Sequence, residues 1–117
     1  MREPKPTIAR PIRWQNLRTD EAEREIARRL LLGAPFVSPH AFARMAEREE
    51  LGVLNSVDMM EILRRGSISR SPRQEDRGWI VIVEKRMPGS RLAGVVTLVV
   101  NPGDDLEVWT VQWMDWE

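Results

Sequence analysis

After residue 18, the first half of the chain places apolar residues three and four positions apart, which is the spacing of α-helices with one buried face. Residues suited to helix ends divide this stretch into three predicted helices. Their boundaries are Thr19 or Asp20 to Gly33, Ser38-Pro39 to about Leu51, and Asn55 or Ser56 to Gly66.

The second half of the chain changes to runs rich in β-branched and aromatic residues, which indicate strands. Pro-Gly turns at 87–90 and 101–104 predict hairpins between them. The predicted strands are Trp79 to Val83, Val95 to Val100 and Leu106 to Trp113, with Ser67 to Ser71 as a further short edge strand.

These elements predict an α+β fold with two to three N-terminal helices packed on a three- to four-stranded antiparallel sheet. Residues 19–117 form one predicted domain. Residues 1–18 form a predicted extended arm, because proline disfavours a helix there. The arm contains Pro4, Pro6 and Pro11, and Ile8, Ile12 and Trp14 are available to anchor it.

Composition narrows the classes of function. The chain has 117 residues, 42% of them hydrophobic and 31% charged, which suits one packed domain. Without cysteine, and with His40 as its one histidine, it lacks a disulfide scaffold, a thiolate nucleophile and a Cys- or His-rich metal site. We therefore expect no metal or organic cofactor.

No segment has the apolar length of a signal peptide or a spanning helix, so we expect a cytoplasmic protein with no membrane partner.

Charge gives no overall attraction to nucleic acid, because 18 basic and 18 acidic residues cancel. The distribution is uneven, with ten basic and six acidic residues up to Arg48, and eight basic and twelve acidic residues after it. Sixteen of the basic residues are arginine. Arginine is suited to bidentate contacts with carboxylate or phosphate, and high-GC codon usage gives the same bias.

The second predicted helix has one apolar and one charged face. At 100° per residue, Ala41, Phe42, Met45 and Ala46 form the apolar face, which we expect to pack. The opposite face carries His40, Arg44 and Glu47, with Arg48 at its flank. A phosphate held by the two arginines beside a neutral histidine would be the minimum for metal-independent RNA cleavage. Alternatively, His40 is a local hydrogen-bonding residue and the arginines form a solvated, salt-bridged face.

This helix is similar to the S-x-H-A-x-x-R-M-x-x-R signature of a family of small bacterial and phage domains of unknown function. In that family, the signature precedes a short helix ending in glycine, an aromatic residue in the next strand and a threonine in the closing strand. The matching residues are Ser38, His40, Ala41, Arg44, Met45 and Arg48, then Asp58, Leu63 and Gly66, then Trp79 and Thr110.

The family in turn resembles the barnase, EndoU, colicin and RelE group of ribonuclease domains, many of which are toxins of toxin-antitoxin systems. This resemblance implies an RNA substrate and a cognate antitoxin as partner. It implies that His40 is the general base or acid, that Arg44 and Arg48 bind phosphate, and that Thr110 and Trp79 contact substrate. The chain has no tyrosine, two lysines and no net positive charge, which argues against dependence on the ribosome.

Five tryptophans suggest a second function. Trp109 and Trp113 are predicted to share one face of the last strand, and Trp116 lies beyond them in an acidic terminus. Such residues form a core, stack on bases or anchor a protein partner. The alternative to a ribonuclease is therefore a phage or mobile-element accessory protein that binds a host protein through Trp113 and Trp116 or through its arginine-bearing helices. A homodimer through a sheet edge is compatible with both functions.

Overall fold

A computed structural model describes residues 18–45 and 54–114. Within these residues the chain forms three helices and five strands. They are α1 (Thr19–Leu32), β1 (Phe36–Val37), α2 (Pro39–Met45), α3 (Ser56–Arg65), β2 (Arg73–Glu75), β3 (Gly78–Arg86), β4 (Leu92–Val100) and β5 (Leu106–Trp113). The α+β class predicted from the sequence is confirmed. The predicted arm up to residue 17 and the end of the second predicted helix lie outside the described residues.

The helix ends are set by local side-chain chemistry. Ser38 accepts a hydrogen bond from the Ala41 N–H at 3.0 Å and caps α2. At α3, the Asn55 side chain accepts from the Asp58 N–H at 2.9 Å, while the Asp58 carboxylate accepts from the Asn55 N–H. At α1 the cap is Arg18, one residue earlier than predicted. All three predicted helix starts are thus correct to within one residue.

The strands form one sheet in the order β1-β5-β4-β3-β2. The four strands β2 to β5 are antiparallel, as predicted, but β1 adds a parallel edge beside β5. The prediction of a purely antiparallel sheet of three or four strands is therefore one strand short, and it lacks the parallel edge strand. The prediction missed β1 because this strand has two residues between prolines, which are too few to show the alternation of buried and exposed side chains in a strand. The predicted edge strand Ser67 to Ser71 is also wrong, since Ser67 forms an isolated bridge to Glu84 and β2 begins at Arg73.

All three helices pack against the same face of the sheet, which we call the helix face. Here the buried residues of α1, α2 and α3 meet alternate residues of β3, β4 and β5. The cluster includes Ala22, Ile26, Ala41, Met45, Met59, Ile62, Leu63, Val81, Val83, Val95, Val99, Val108 and Val111. The opposite face, which we call the outer face, carries the intervening residues, among them Ile80, Ile82, Val96 and Leu98.

A bulge in β5 changes which side chains share a face. The pairing with β4 shifts between Val96 and Thr97, which leaves Trp109 without a partner in the register. Trp113 pairs with Ala93 and packs against the helix-face core, whereas the Trp109 indole donates to Glu107, which pairs with Leu98 on the outer face. The prediction that Trp109 and Trp113 share a face is therefore wrong, because one extra residue interrupts the alternation.

A buried arginine joins α1 to the β4–β5 hairpin. Arg29 is 2% exposed, and its Nη1 donates to the carbonyl oxygens of Val100 and Asp105 at 2.6 and 2.9 Å. Its Nε donates to Glu25 at 2.8 Å. Burial opposes ionisation of Glu25, but hydrogen bonds from Arg28 and Arg29 outweigh it and lower the pKa of Glu25 below its ordinary value. Arg29 thus satisfies two backbone acceptors at the hairpin and a carboxylate on its own helix.

Replacing Arg29 with alanine should lower the free energy of unfolding by about 3 kcal/mol, because two carbonyls and the Glu25 carboxylate lose their donor. Urea denaturation measures this change. Arg24→Ala is the matched control: Arg24 lies on the same helix in an exposed pair with Asp20, and its loss should change stability by less than about 0.5 kcal/mol. Equal effects of the two substitutions would show that Arg29 does not hold the hairpin.

Candidate functional site

The described part of α2 presents His40 to solvent. Ala41 and Met45 are buried against β5, so the helix is oriented by these two side chains. His40 is exposed and makes no hydrogen bond with another described residue. Phe42 is 54% exposed, which corrects the prediction that it packs with Ala41 and Met45. The described part of α2, which lies beside β5, buries a narrower stripe than the predicted face.

The predicted phosphate-binding arginines remain predictions. The backbone of Arg44 lies in α2, one turn after His40, whereas its side chain is outside the described part of the structure. Arg48 and Ala46 lie outside the described residues as well.

The two predicted substrate contacts on the sheet lie on opposite faces. Trp79 pairs with Val99 on the helix face and packs against the core. Thr110 pairs with Val96 on the outer face. The Thr110 hydroxyl is buried, and it has no hydrogen-bond partner among the described residues. The sheet therefore separates these two side chains, and one substrate group could not contact both.

The predicted partner-binding tryptophans are differently placed. Trp113 is half-buried, packs against the core, and lies beneath the Arg91 guanidinium at 5.7 Å from its ring centroid. Trp116 lies outside the described residues. Within the described chain, a structural role accounts for the contacts of Trp113.

An ion pair that the sequence did not predict crosses the outer face. Arg77, in the turn between β2 and β3, donates two hydrogen bonds of 2.8 Å to the carboxylate of Glu107 on β5. The Arg77 hydrogen bonds lower the pKa of Glu107 despite partial burial. Because β4 separates the two strands, the pair crosses a whole strand. Thirty residues separate the partners, and no local pattern in the sequence indicates such a contact.

Large apolar side chains are exposed along one segment of the described chain. Leu31, Leu32, Phe36 and Phe42 are all more than half exposed, with Leu31 at 88%. They lie in a segment of twelve residues that contains the end of α1, the edge strand β1 and the start of α2. We call residues 31–42 the apolar segment. Among residues 18–45 and 54–114, Val57 on α3 is the other large apolar side chain with high exposure, at 75%.

A cavity of about 360 Å³ opens beside this segment, and a second cavity of about 160 Å³ lies between α1, α3 and β3. Neither is lined by His40, Thr110 or Trp79. The larger cavity is lined by Arg29, Leu32, Gly33, Ala34, Asp104, Asp105 and Leu106.

Comparison of the chain with models of known protein families, with curated proteins and with solved structures finds no match. In residues 18–45 and 54–114, no three histidine or acidic side chains are grouped as metal ligands would be. No helix in these ranges has the length and apolar character needed to cross a bilayer.

Thr110→Val should raise the free energy of unfolding by about 1 kcal/mol, because it removes a buried hydroxyl that lacks a partner while keeping the side-chain shape. Thr110→Ser is the control, since it keeps the hydroxyl and loses a methyl group, and should lower stability. Thermal unfolding of both variants tests this. A destabilised valine variant would reveal that the hydroxyl is hydrogen-bonded in solution.

Proposed function

We propose that this chain is a protein-binding module that holds its partner through the apolar segment. The observation that carries the proposal is the exposure of Leu31, Leu32, Phe36 and Phe42 within twelve residues. Large exposed apolar side chains that are concentrated in one short segment are a mark of interaction sites, whereas single ones scattered over a surface are not. The proposal keeps the protein-binding alternative drawn from the sequence, but moves the surface from the tryptophans of the sheet to the edge formed by β1.

The pattern along α1 supports this interpretation. Ala22, Ile26 and Arg29 face the core, and Arg24 and Arg28 lie on the exposed side, as expected for an amphipathic helix. In the last turn, the exposed positions carry leucine instead of a charged residue. Packing within the described chain does not account for leucine at a position that is 88% exposed, and contact with a partner would account for it.

The larger cavity offers a place for an anchoring side chain of the partner. Leu32, Ala34 and Leu106 supply apolar lining, and the cavity also contains the aspartates at 104 and 105. The Asp104 carboxylate accepts from Arg28 at 2.7 Å, and Asp105 is exposed. A lysine or arginine of the partner, with an apolar stem and a cationic tip, matches this lining. Pockets of this kind next to an apolar surface are where binding energy is concentrated.

Photo-crosslinking tests the proposed surface. With p-benzoylphenylalanine in place of Phe36 or Phe42, irradiation of the cell that naturally produces the chain should give the same covalent adduct from both positions. The partner is then identified by mass spectrometry. Both positions are exposed, so the substitutions should not disturb the core.

Val57 provides the matched control for this experiment, because it is also an exposed apolar residue but lies on α3, outside the apolar segment. The photoreactive residue at position 57 should give no such adduct. The proposal is wrong if positions 36 and 42 yield nothing, or if position 57 yields the same adduct.

A second proposal is that the chain is a metal-independent ribonuclease toxin, as the resemblance of the α2 motif implies. The observation that favours it is the exposure of His40 in the first turn of a helix capped by Ser38. A histidine in this position is accessible to a substrate and free of competing hydrogen bonds from the described residues. It would act as general base on the 2′-hydroxyl of RNA, with Arg44 and Arg48 binding the phosphate.

Induced expression in a bacterial host tests this second proposal. The wild-type chain should arrest growth and degrade RNA, and His40→Ala should abolish both effects while remaining folded, because the exposed side chain contributes little packing. Growth and total RNA integrity are measured together. Arg64→Ala, which removes an exposed charge on α3, should remain toxic. Intact RNA in cells that express the wild type, or toxicity of His40→Ala, would refute this function.

A further inference from the structure

The outer face of the sheet contains buried side chains, although no described helix lies on that side. Leu98 is 0% exposed and Ile80 is 6% exposed. Neither belongs to the core cluster beneath the helices. They are paired across β3 and β4 and therefore point to the same side of the sheet. The outer face is thus a second apolar surface, and part of it is already covered.

Individual side chains cover the two ends of this face. At one end, the Arg77–Glu107 ion pair crosses β4, and Trp109 donates to the same carboxylate. At the other end, Met114 lies over Gly94, where a Cβ atom would be 2.6 Å from the Met114 sulfur. Between these ends, Ile82 and Val96 pair directly and remain half-buried. An apolar strip therefore runs across the middle of the outer face.

We propose that residues 1–17 of this chain dock on the outer face along the strip formed by Ile80, Ile82, Val96 and Leu98. The position of α1 favours this occupant. Glu23, in the first half of α1, accepts a hydrogen bond from the Ile68 N–H at 2.7 Å, and the neighbouring Ser67 pairs with Glu84 of β3. Arg18 therefore lies toward the β3 side of the sheet, from which the preceding residues can pass around the edge.

The length of the segment is sufficient. Seventeen extended residues reach about 55 Å. The width of a four-strand sheet is about 15 Å between its outer strands, since neighbouring strands lie about 4.8 Å apart. The segment can therefore turn around the β2 side of the sheet and still cross β3, β4 and β5.

The composition of the segment matches the strip. Ile8, Ile12 and Trp14 all have even numbers, so an extended chain places them on one side. Proline at positions 4, 6 and 11 lacks an N–H, which suits a chain that lies on a sheet face without joining its ladder. The segment also has four basic residues and one acidic residue, but the two carboxylates that border the outer face, Glu84 and Glu107, are already paired with Arg70 and Arg77. The match between the segment and the strip therefore rests on apolar contact.

Cysteine cross-linking tests this proposal cleanly, because the chain has no native cysteine. The full-length double variant Ile12→Cys/Val96→Cys is treated with a short bis-maleimide, and the products are separated on a denaturing gel and mapped by mass spectrometry. The matched control is Ile12→Cys/Val57→Cys, because Val57 is exposed on the helix side of the sheet. We expect at least about tenfold more intramolecular cross-link in the first pair, at a yield independent of protein concentration.

Three outcomes would overturn the proposal. Equal yields in the two pairs would mean that the segment has no preferred site. A covalent dimer as the main product of the first pair would mean that a second copy occupies the outer face. Absence of any cross-link would place the segment elsewhere. If Val96→Cys lowers the stability of the fold, Ile12→Cys/Ile82→Cys answers the same question at the neighbouring position of the strip.

Discussion

The Arg29 guanidinium is the constraint on which the arrangement of helices and sheet depends. The β4–β5 hairpin leaves carbonyl oxygens of Val100 and Asp105 facing α1, and a buried acceptor without a donor is costly. A guanidinium supplies several donors in a fixed plane, so one side chain fixes both the rotation of α1 and its distance from the hairpin. The surface pair between Arg28 and Asp104 joins the same two elements, but solvent weakens it.

Arg29 holds the C-terminal end of α1, and the position of this end determines where the chain enters the edge of the sheet. Because Arg29 faces the hairpin, Leu31 faces solvent, and the chain reaches β1 after three residues. The parallel pairing of Phe36 and Val37 with Glu107 and Val108 then places α2 alongside β5. The exposed apolar side chains and the exposed histidine thus lie on the stretch of chain that leads from the end of α1 to α2.

The sequence predicted those parts of the fold that depend on neighbouring residues. The caps at Ser38 and Asn55 and the strands β3 to β5 were recognisable because their determinants lie within a few positions. The bulge at Trp109 and the two-residue β1 escaped prediction because they depend on pairing between distant strands. The exposure of Phe42 results from the position of α2 beside β5, which periodicity does not encode. In the candidate site, His40 was identified from the sequence as an accessible residue. The apolar segment could be recognised only from the exposure of its side chains in the structure.

The two edges of the sheet limit assembly in different ways. The β2 edge shows Arg73, Gln74 and Glu75, all exposed, and charged side chains on a short strand discourage further pairing. The β1 edge shows Phe36 and is bounded by prolines at 35 and 39. Proline and the short length of β1 also discourage pairing, so neither described edge of the sheet favours the addition of another strand. The side chains of the molecule, and not an extension of its sheet, are therefore the surfaces we expect a partner to contact.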